Sequence, residues 1–275
     1  MDKTRRPHRA TKATTALAVS LATVAGALAL GAAPAMADQN DGHSNQGSGP
    51  ATVPVTPGTL PPVAPGQSKH LWQVKRDADR AINERVNALN VAVRRLATMS
   101  YMGQDATTLT SSMQQDVTNL QALKVSIDAA TTVQQAMAGY TQIFTDYRVY
   151  YLVLPAAQGA ATADWLTSVK IPTLTQQVTQ LQGLQNTADQ AVLGPIVSGM
   201  QSLLQTATTD TTGVSAQLLS YTAQQWDANH NILFGAQTNL RTASGAIAAA
   251  ERDYARAEEY LTRGLTNNGG DRRGR

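Results

Sequence analysis

From Trp226 onward the chain places a large side chain at every seventh position. Trp226, Leu233, Leu240, Ile247, Tyr254 and Leu261 follow one another at this spacing, and three residues after each stand Asn229, Ala236, Ala243, Ala250, Ala257 and Gly264. Such a repeat draws one seam along an α-helix, with large residues at one position and small ones at the other. Small residues let a neighbouring helix approach toward the short end of the usual interaxial range of about 8–10 Å. Thr222 with Gln225 reads as a capping box at the start. A single helix from Ala223 to Gly264 would be roughly 63 Å long at ~1.5 Å per residue. A helix of that length needs a long partner. Either the first helix of the chain fills the seam, or a second copy pairs through it as a homodimer.

Helical spacing continues through the rest of residues 69–265, and no alternating strand pattern interrupts it. Val74, Ala78, Ile82, Val86, Leu89, Val93, Leu96 and Met99 mark the first helix. Its outer face reads as basic, with Lys69, Lys75, Arg76, Arg80, Arg85, Arg94 and Arg95. Gly103 ends it. A second helix runs through Leu109, Met113, Leu120 and Ile127. A third, capped by Thr131 or Thr132, carries Val133, Met137, Tyr140, Phe144, Tyr147, Tyr151 and Leu154, and Pro155 ends or kinks it. A fourth runs from about Ala157 to Asp189 with a bend at Pro172, and Gly194-Pro195 marks a further irregularity. A fifth holds Met200, Leu203, Leu204, Ala207, Val214 and Leu218. The fold class expected is all-α: an elongated, mostly antiparallel bundle of five or six helices, with a long heptad-patterned helix at the C-terminus.

The first 37 residues read as a secretory signal peptide. Lys3, Arg5, Arg6, Arg9 and Lys12 form a basic start, an uncharged apolar stretch follows, and Ala35-Met36-Ala37 is an A-x-A cleavage site. Cleavage would leave no transmembrane segment. Residues 38–68 hold six prolines and five glycines and no aromatic residue. That composition buries too little apolar area to offset the entropy of ordering, so the segment is expected to be a disordered linker. Residues 266–275 are expected to form a flexible basic tail.

Cleavage also changes the charge. The whole chain has 22 Lys+Arg against 19 Asp+Glu, but residues 1–37 account for five of the former and one of the latter, which leaves 17 against 18. The basic pI therefore belongs to the signal peptide, and the mature chain has no electrostatic footprint for nucleic acid. The absence of cysteine excludes disulfides, thiolate metal sites and a Cys nucleophile.

Catalytic chemistry finds little to work with. No phosphate loop, dinucleotide fingerprint, G-x-S-x-G or H-E-x-x-H pattern occurs. His70 and His230 are the two histidines of the helical region, and Asp227 with His230 supplies two ligands where zinc needs three or four. No metal, cofactor or catalytic residue is expected, and the chain reads as not an enzyme. One cluster stands out. Tyr140, Tyr147, Tyr150 and Tyr151 fall within twelve residues, and Asp146 and Arg148 lie among them. A charge set between tyrosines must find a partner or reach water. A ligand site, if present, is expected at Asp146, Tyr147, Arg148, Tyr150, Asn229 and His230.

Two segments carry a resemblance. Ile143-Phe144-Thr145-Asp146-Tyr147-Arg148-Val149-Tyr150, continued by Leu152-Val153-Leu154-Pro155, is one. Trp226-Asp227-Ala228-Asn229-His230-Asn231-Ile232-Leu233, continued by Leu240-Arg241-Thr242-Ala243, is the other. They resemble segments of secreted, helical, functionally unassigned proteins of actinobacteria and cover about a tenth of the chain. The resemblance implies export and a helical fold, and it brings no activity or cofactor. Members of that group often carry a basic or polar residue soon after the proline, where this chain has Ala156 and Ala157.

The function expected is that of a secreted, non-enzymatic protein acting by helix-mediated protein interaction at or outside the cell envelope. The alternative is an extracellular helical module that binds a small ligand in a pocket near Arg148.

Overall fold

The structure is a computed structural model and describes residues 65–185 and 189–269. The expected signal peptide at 1–37, the expected linker as far as residue 64 and residues 270–275 of the expected tail lie outside the described residues, whereas residues 266–269 of that tail are helical, at the end of α9. Among the described residues every regular element is helical: α1 (Pro65–Leu96), a 3₁₀ turn (Ser100–Met102), α2 (Gln104–Ala129), α3 (Val133–Thr145), a π-turn (Val149–Val153), α4 (Leu154–Trp165), a second π-turn (Leu166–Lys170), α5 (Ile171–Leu184), α6 (Gln190–Thr211), α7 (Val214–Leu219), α8 (Ala223–Ala228) and α9 (Phe234–Gly269). The fold is an all-α helical bundle. With α4 and α5 counted as one helix through the second π-turn, six long helices and two six-residue ones make it up. α1 starts inside the segment expected to be linker, at a proline, which suits a first helical turn because it has no N–H to leave unpaired.

The N-terminal helices form one core. Ala78, Ile82, Leu89 and Leu96 from α1 meet Leu109, Met113, Leu120 and Ile127 from α2 and Ala136 and Ile143 from α3. The helices run antiparallel: Lys75 Nζ near the start of α1 donates to the Asp128 carbonyl at the end of α2 at 2.7 Å. Thr132 caps α3 by accepting from Gln135 N–H. A Cβ on Gly139 would fall 2.5 Å from Ile127 Cγ1, so glycine sets how closely α3 packs on α2.

The C-terminal helices form a second core, in which α9 lies along α6. Leu233, Ala236, Leu240, Ala243, Ile247, Ala250, Tyr254 and Ala257 of the heptad are all buried there, with Leu193, Val197, Met200, Leu204 and Ala207 of α6. The Tyr260 hydroxyl near the end of α9 donates to Asp189 Oδ1, just ahead of α6, at 3.2 Å. The seam is thus filled from within the chain, and by α6 rather than by the first helix as the sequence suggested. It is not left open for a second copy.

α4 joins the two cores. Ala157, Ala160 and Ala161 are buried in the N-terminal cluster, and Ala156 and Ala163 in the C-terminal one. Alanine allows helices to close in on both sides at little entropic cost. At Gly159, an added Cβ would stand 2.6 Å from Leu218 Cδ1 of α7.

Two expected boundaries move, those of the third and the last helix. The third helix does not run to Pro155. It ends at Thr145, and the chain restarts after Arg148, whose backbone is left-handed (φ 42°, ψ 36°). Of the two outcomes left open at Pro155, ending or kinking, it does not end a helix, and neither does Pro172, where a bend was expected. Leu154 N–H donates to Val149 O and Ile171 N–H to Leu166 O, both i→i−5, and each wide turn sits directly before a proline. In an α-helix the proline ring would meet the carbonyl four residues back, so a one-residue expansion there relieves the clash. The long last helix breaks in two between α8 and α9. Asn229 is extended (φ −151°, ψ 98°), and its Oδ1 accepts from Asn231 N–H at 3.0 Å, a local bond that competes with helix. The capping box of Thr222 and Gln225 is present at the head of α8.

Candidate functional site

The two segments singled out by their resemblance meet in space. Arg148 Nη2 lies 2.5 Å from Asp227 Oδ1. Next to this ion pair the rings of Tyr151 and Trp226 stack, with centroids 6.4 Å apart and planes 22° from parallel. The His230 ring meets Trp226 in an edge arrangement, at 5.6 Å and 62°. The local backbone explains the meeting. The left-handed Arg148 turns the chain sharply, and its carbonyl accepts from Leu152 N–H at 2.8 Å to start the next helical stretch. The break at Asn229 lets the short α8 depart from the line of α9 and reach Arg148.

This site is half-open. The Tyr151 ring is 56% exposed. Arg148 is half-buried, and its Nε is buried with no hydrogen-bond partner. An unmet buried donor costs about 1–3 kcal/mol. The left-handed conformation of a non-glycine residue costs roughly 1–2 kcal/mol more. Arg148 is the one non-glycine residue with positive φ among the described residues.

The six residues expected at a site part company. Arg148, Asn229 and His230 belong to this join, Asn229 through its turn. Asp146 does not: it is exposed and accepts from the Thr145 hydroxyl at 2.7 Å. Tyr147 and Tyr150 face the N-terminal core. Burial raises the Tyr147 phenol above its ordinary value, helped by the charges of Asp116 and Asp146. Burial raises Tyr150 as well, against the Arg85 charge, which lowers it.

Arg85 itself corrects the expected basic face of the first helix. It is 7% exposed, with its guanidinium 4.4 Å from the Phe144 ring centroid and 5.2 Å from that of Tyr150. Nη1 donates to the Ala81 carbonyl at 3.0 Å. Burial lowers its pKa from the ordinary value. The two aromatic faces supply the attraction that a carboxylate would otherwise provide.

Trp226, Asp227 and Tyr151 were not among the expected site residues. Trp226 and Tyr151 fall on apolar stripes, and Asp227 with His230 offers too few ligands for zinc. The exposure of Tyr151 has a signal in the sequence: Tyr150 and Tyr151 are adjacent, roughly 100° apart on a helix, so both cannot face one core. Among the described residues, no group of three or more His, Asp or Glu could hold a metal ion. Nor is any described helix long and apolar enough to cross a membrane. A cleft of about 280 Å³ lies elsewhere, between α1 and α3, lined by His70, Gln73, Val74, Asp77, Met137 and Tyr140. Compared with known proteins, the chain matches no family model, and no curated protein and no solved structure is significantly similar to it.

Proposed function

We propose that this chain is an exported, non-enzymatic protein that binds a small ligand outside the cell or at its envelope, through the face where Arg148, Tyr151, Trp226 and His230 meet. The observation that carries this reading is the Arg148–Asp227 pair beside an exposed aromatic stack. Strained backbone and unmet donors persist where binding makes use of them. Asp227 sits on a six-residue helix, too short to be stable by itself. A ligand with an anionic edge can therefore replace Asp227 on the guanidinium, and its flat face can lie on Tyr151. An aromatic carboxylate has that chemistry. Export rests on the basic start, apolar stretch and A-x-A site of residues 1–37, and the resemblance of the two segments to secreted actinobacterial proteins agrees with it.

A second reading, interaction with another protein, is favoured by the exposed Trp72 and Met137 near the α1–α3 cleft. The heptad seam no longer supports it, because α6 fills that seam.

The test has two parts. Fractionation of an expressing host with N-terminal sequencing should find protein that begins at Asp38 outside the cytoplasm. An intact N-terminus in the cytoplasm would contradict export. Thermal shifts with a panel of aromatic carboxylates and their uncharged amides should show acid-selective stabilisation of the mature chain. Arg148→Met should fold and lose the shift, and an unchanged shift in that variant would contradict the site.

A further inference from the structure

Phe144 and Tyr150 place their rings on one buried charge. The guanidinium carbon of Arg85, on α1, lies 4.4 Å from the Phe144 ring centroid and 5.2 Å from that of Tyr150. Phe144 is at the end of α3 and Tyr150 is in the π-turn that follows, with the left-handed Arg148 between them. An unbroken helix cannot make this arrangement. Six residues apart, the two rings would stand about 120° apart around the axis and ~9 Å apart along it. Both reach Arg85 because the helix breaks. The guanidinium is therefore complementary to the broken chain and not to a continuous one.

Arg85 depends on these two rings. It is 7% exposed, its Nε is buried with no hydrogen-bond partner, and no ion pair among the described residues includes it. Its Nη1 bond to the Ala81 carbonyl, at 3.0 Å, stays within α1. A turn that carried either ring away would leave a buried cation without its compensation. Ile143 and Val149, also six residues apart, are buried in the same core. Burial of apolar surface is non-directional, so it holds the segment down without fixing which way the turn faces. The charge between two ring faces supplies that direction.

The direction of the turn decides the ligand face. Arg148 is the break itself, and Tyr151 follows Tyr150 directly, with Cα atoms about 3.8 Å apart. A Tyr150 ring held on Arg85 therefore fixes where Tyr151 starts. Tyr151 is 56% exposed and stacks on Trp226, so it has little packing of its own to keep it in place. We propose that Arg85 is the positioning residue of this face. Its buried charge draws Phe144 and Tyr150 together, keeps the chain broken at Arg148, and so sets Arg148 and Tyr151 against Asp227 and Trp226 for an anionic aromatic ligand. The inference rests on the binding role proposed above for its purpose, while its decisive readouts need no ligand.

The experiment compares the mature chain with Arg85→Met and Arg85→Lys by NMR. Methionine keeps an unbranched apolar stem and removes the charge; lysine keeps the charge. An apolar residue in place of a buried charge is often neutral or stabilising, so Arg85→Met should melt within about 3 °C of wild type. It should nonetheless lose the cross-peaks between the Tyr151 and Trp226 rings, and Arg148 should lose the backbone shifts of a left-handed residue. Arg85→Lys should keep both. A role confined to core packing predicts the reverse, a changed melting temperature with the stack and the turn intact. One measurement needs no variant: the Arg85 Nε–H of wild type should be shifted upfield by the rings and show cross-peaks to Phe144 and Tyr150. Benzoate, followed by the Trp226 indole N–H, should bind wild type at least about tenfold more tightly than Arg85→Met, in proportion to the lost population of the competent turn. A wild type that ignores benzoate counts against the binding face and not against Arg85. A Tyr151–Trp226 stack and a left-handed Arg148 that persist in Arg85→Met, or the absence of the Arg85 cross-peaks in wild type, would overturn the inference.

Discussion

Arg148 and Asp227 form an ion pair across 2.5 Å, and that contact ties the turn after α3 to the short helix α8. The pair is half-exposed, so it contributes only about 0–1 kcal/mol to stability. The left-handed backbone of Arg148 costs roughly 1–2 kcal/mol. The ion pair therefore does not offset the strain at this residue.

The strain at Arg148 makes the first prediction. Arg148→Ala loses the ion pair and keeps the strain, whereas Arg148→Gly loses the pair and relieves the strain. The glycine variant should be more stable than the alanine variant by about 0.5–1 kcal/mol in urea unfolding. Equal stabilities would mean that this backbone is not left-handed in solution.

The heptad seam makes the second. Ala250 of α9 is fully buried in the C-terminal core. Ala250→Leu should lower stability by about 1–3 kcal/mol through overpacking. Since the seam is filled by α6, the urea midpoint should not depend on protein concentration, in wild type or variant. A midpoint that rises with concentration would place a second copy in the seam.

Two glycines separate packing from propensity. Gly139→Ala directs a methyl at Ile127 and should cost about 1 kcal/mol net, even with its gain in helix propensity. Gly245, in α9, has open space around an added Cβ. Gly245→Ala should therefore stabilise by about 0.5–1 kcal/mol. Calorimetry of the two variants reads the contrast, and the same sign for both would contradict the close approach of α2 and α3.

Asp116 predicts a pH response of its own. Burial pushes its carboxyl up to about 6. The folded chain then binds more protons than the unfolded one between about pH 4 and 6, so stability falls as pH rises through that window. Asp116→Asn should flatten this part of the profile and leave the variant the more stable protein at pH 7. An unchanged slope would show that Asp116 stays ionised and solvated.

Much of the fold was legible because each long helix carries its own apolar period. The stripes Leu109–Met113–Leu120–Ile127 and Leu240–Ile247–Tyr254 point inward in the structure as their spacing required. The partner of the last helix was not legible, because a row of alanines says how near a neighbour comes and not which one it is. The breaks at Arg148 and Asn229 were hidden for a different reason. In each case the apolar spacing continues across the break, Phe144 to Tyr151 and Trp226 to Leu233, so periodicity hides it. Asn229-His230-Asn231 was the better clue, being three poor helix formers with side chains that bond locally. Arg85 misled because charge normally marks an outer face. Its aromatic partners, Phe144 and Tyr150, come from α3 and the turn that follows it, far along the chain.

The most direct test of the binding face is the indole N–H signal of Trp226 in the ¹⁵N-labelled mature chain, assigned with Trp226→Phe. During titration with an aromatic carboxylate selected by thermal shift, the Trp226 signal should move saturably. Those of Trp72 and Trp165 should stay in place, and Arg148→Met should abolish the response. A Trp226 signal that stays still at saturating ligand, or moves equally in Arg148→Met, would show that the join of the two segments holds the fold and binds nothing.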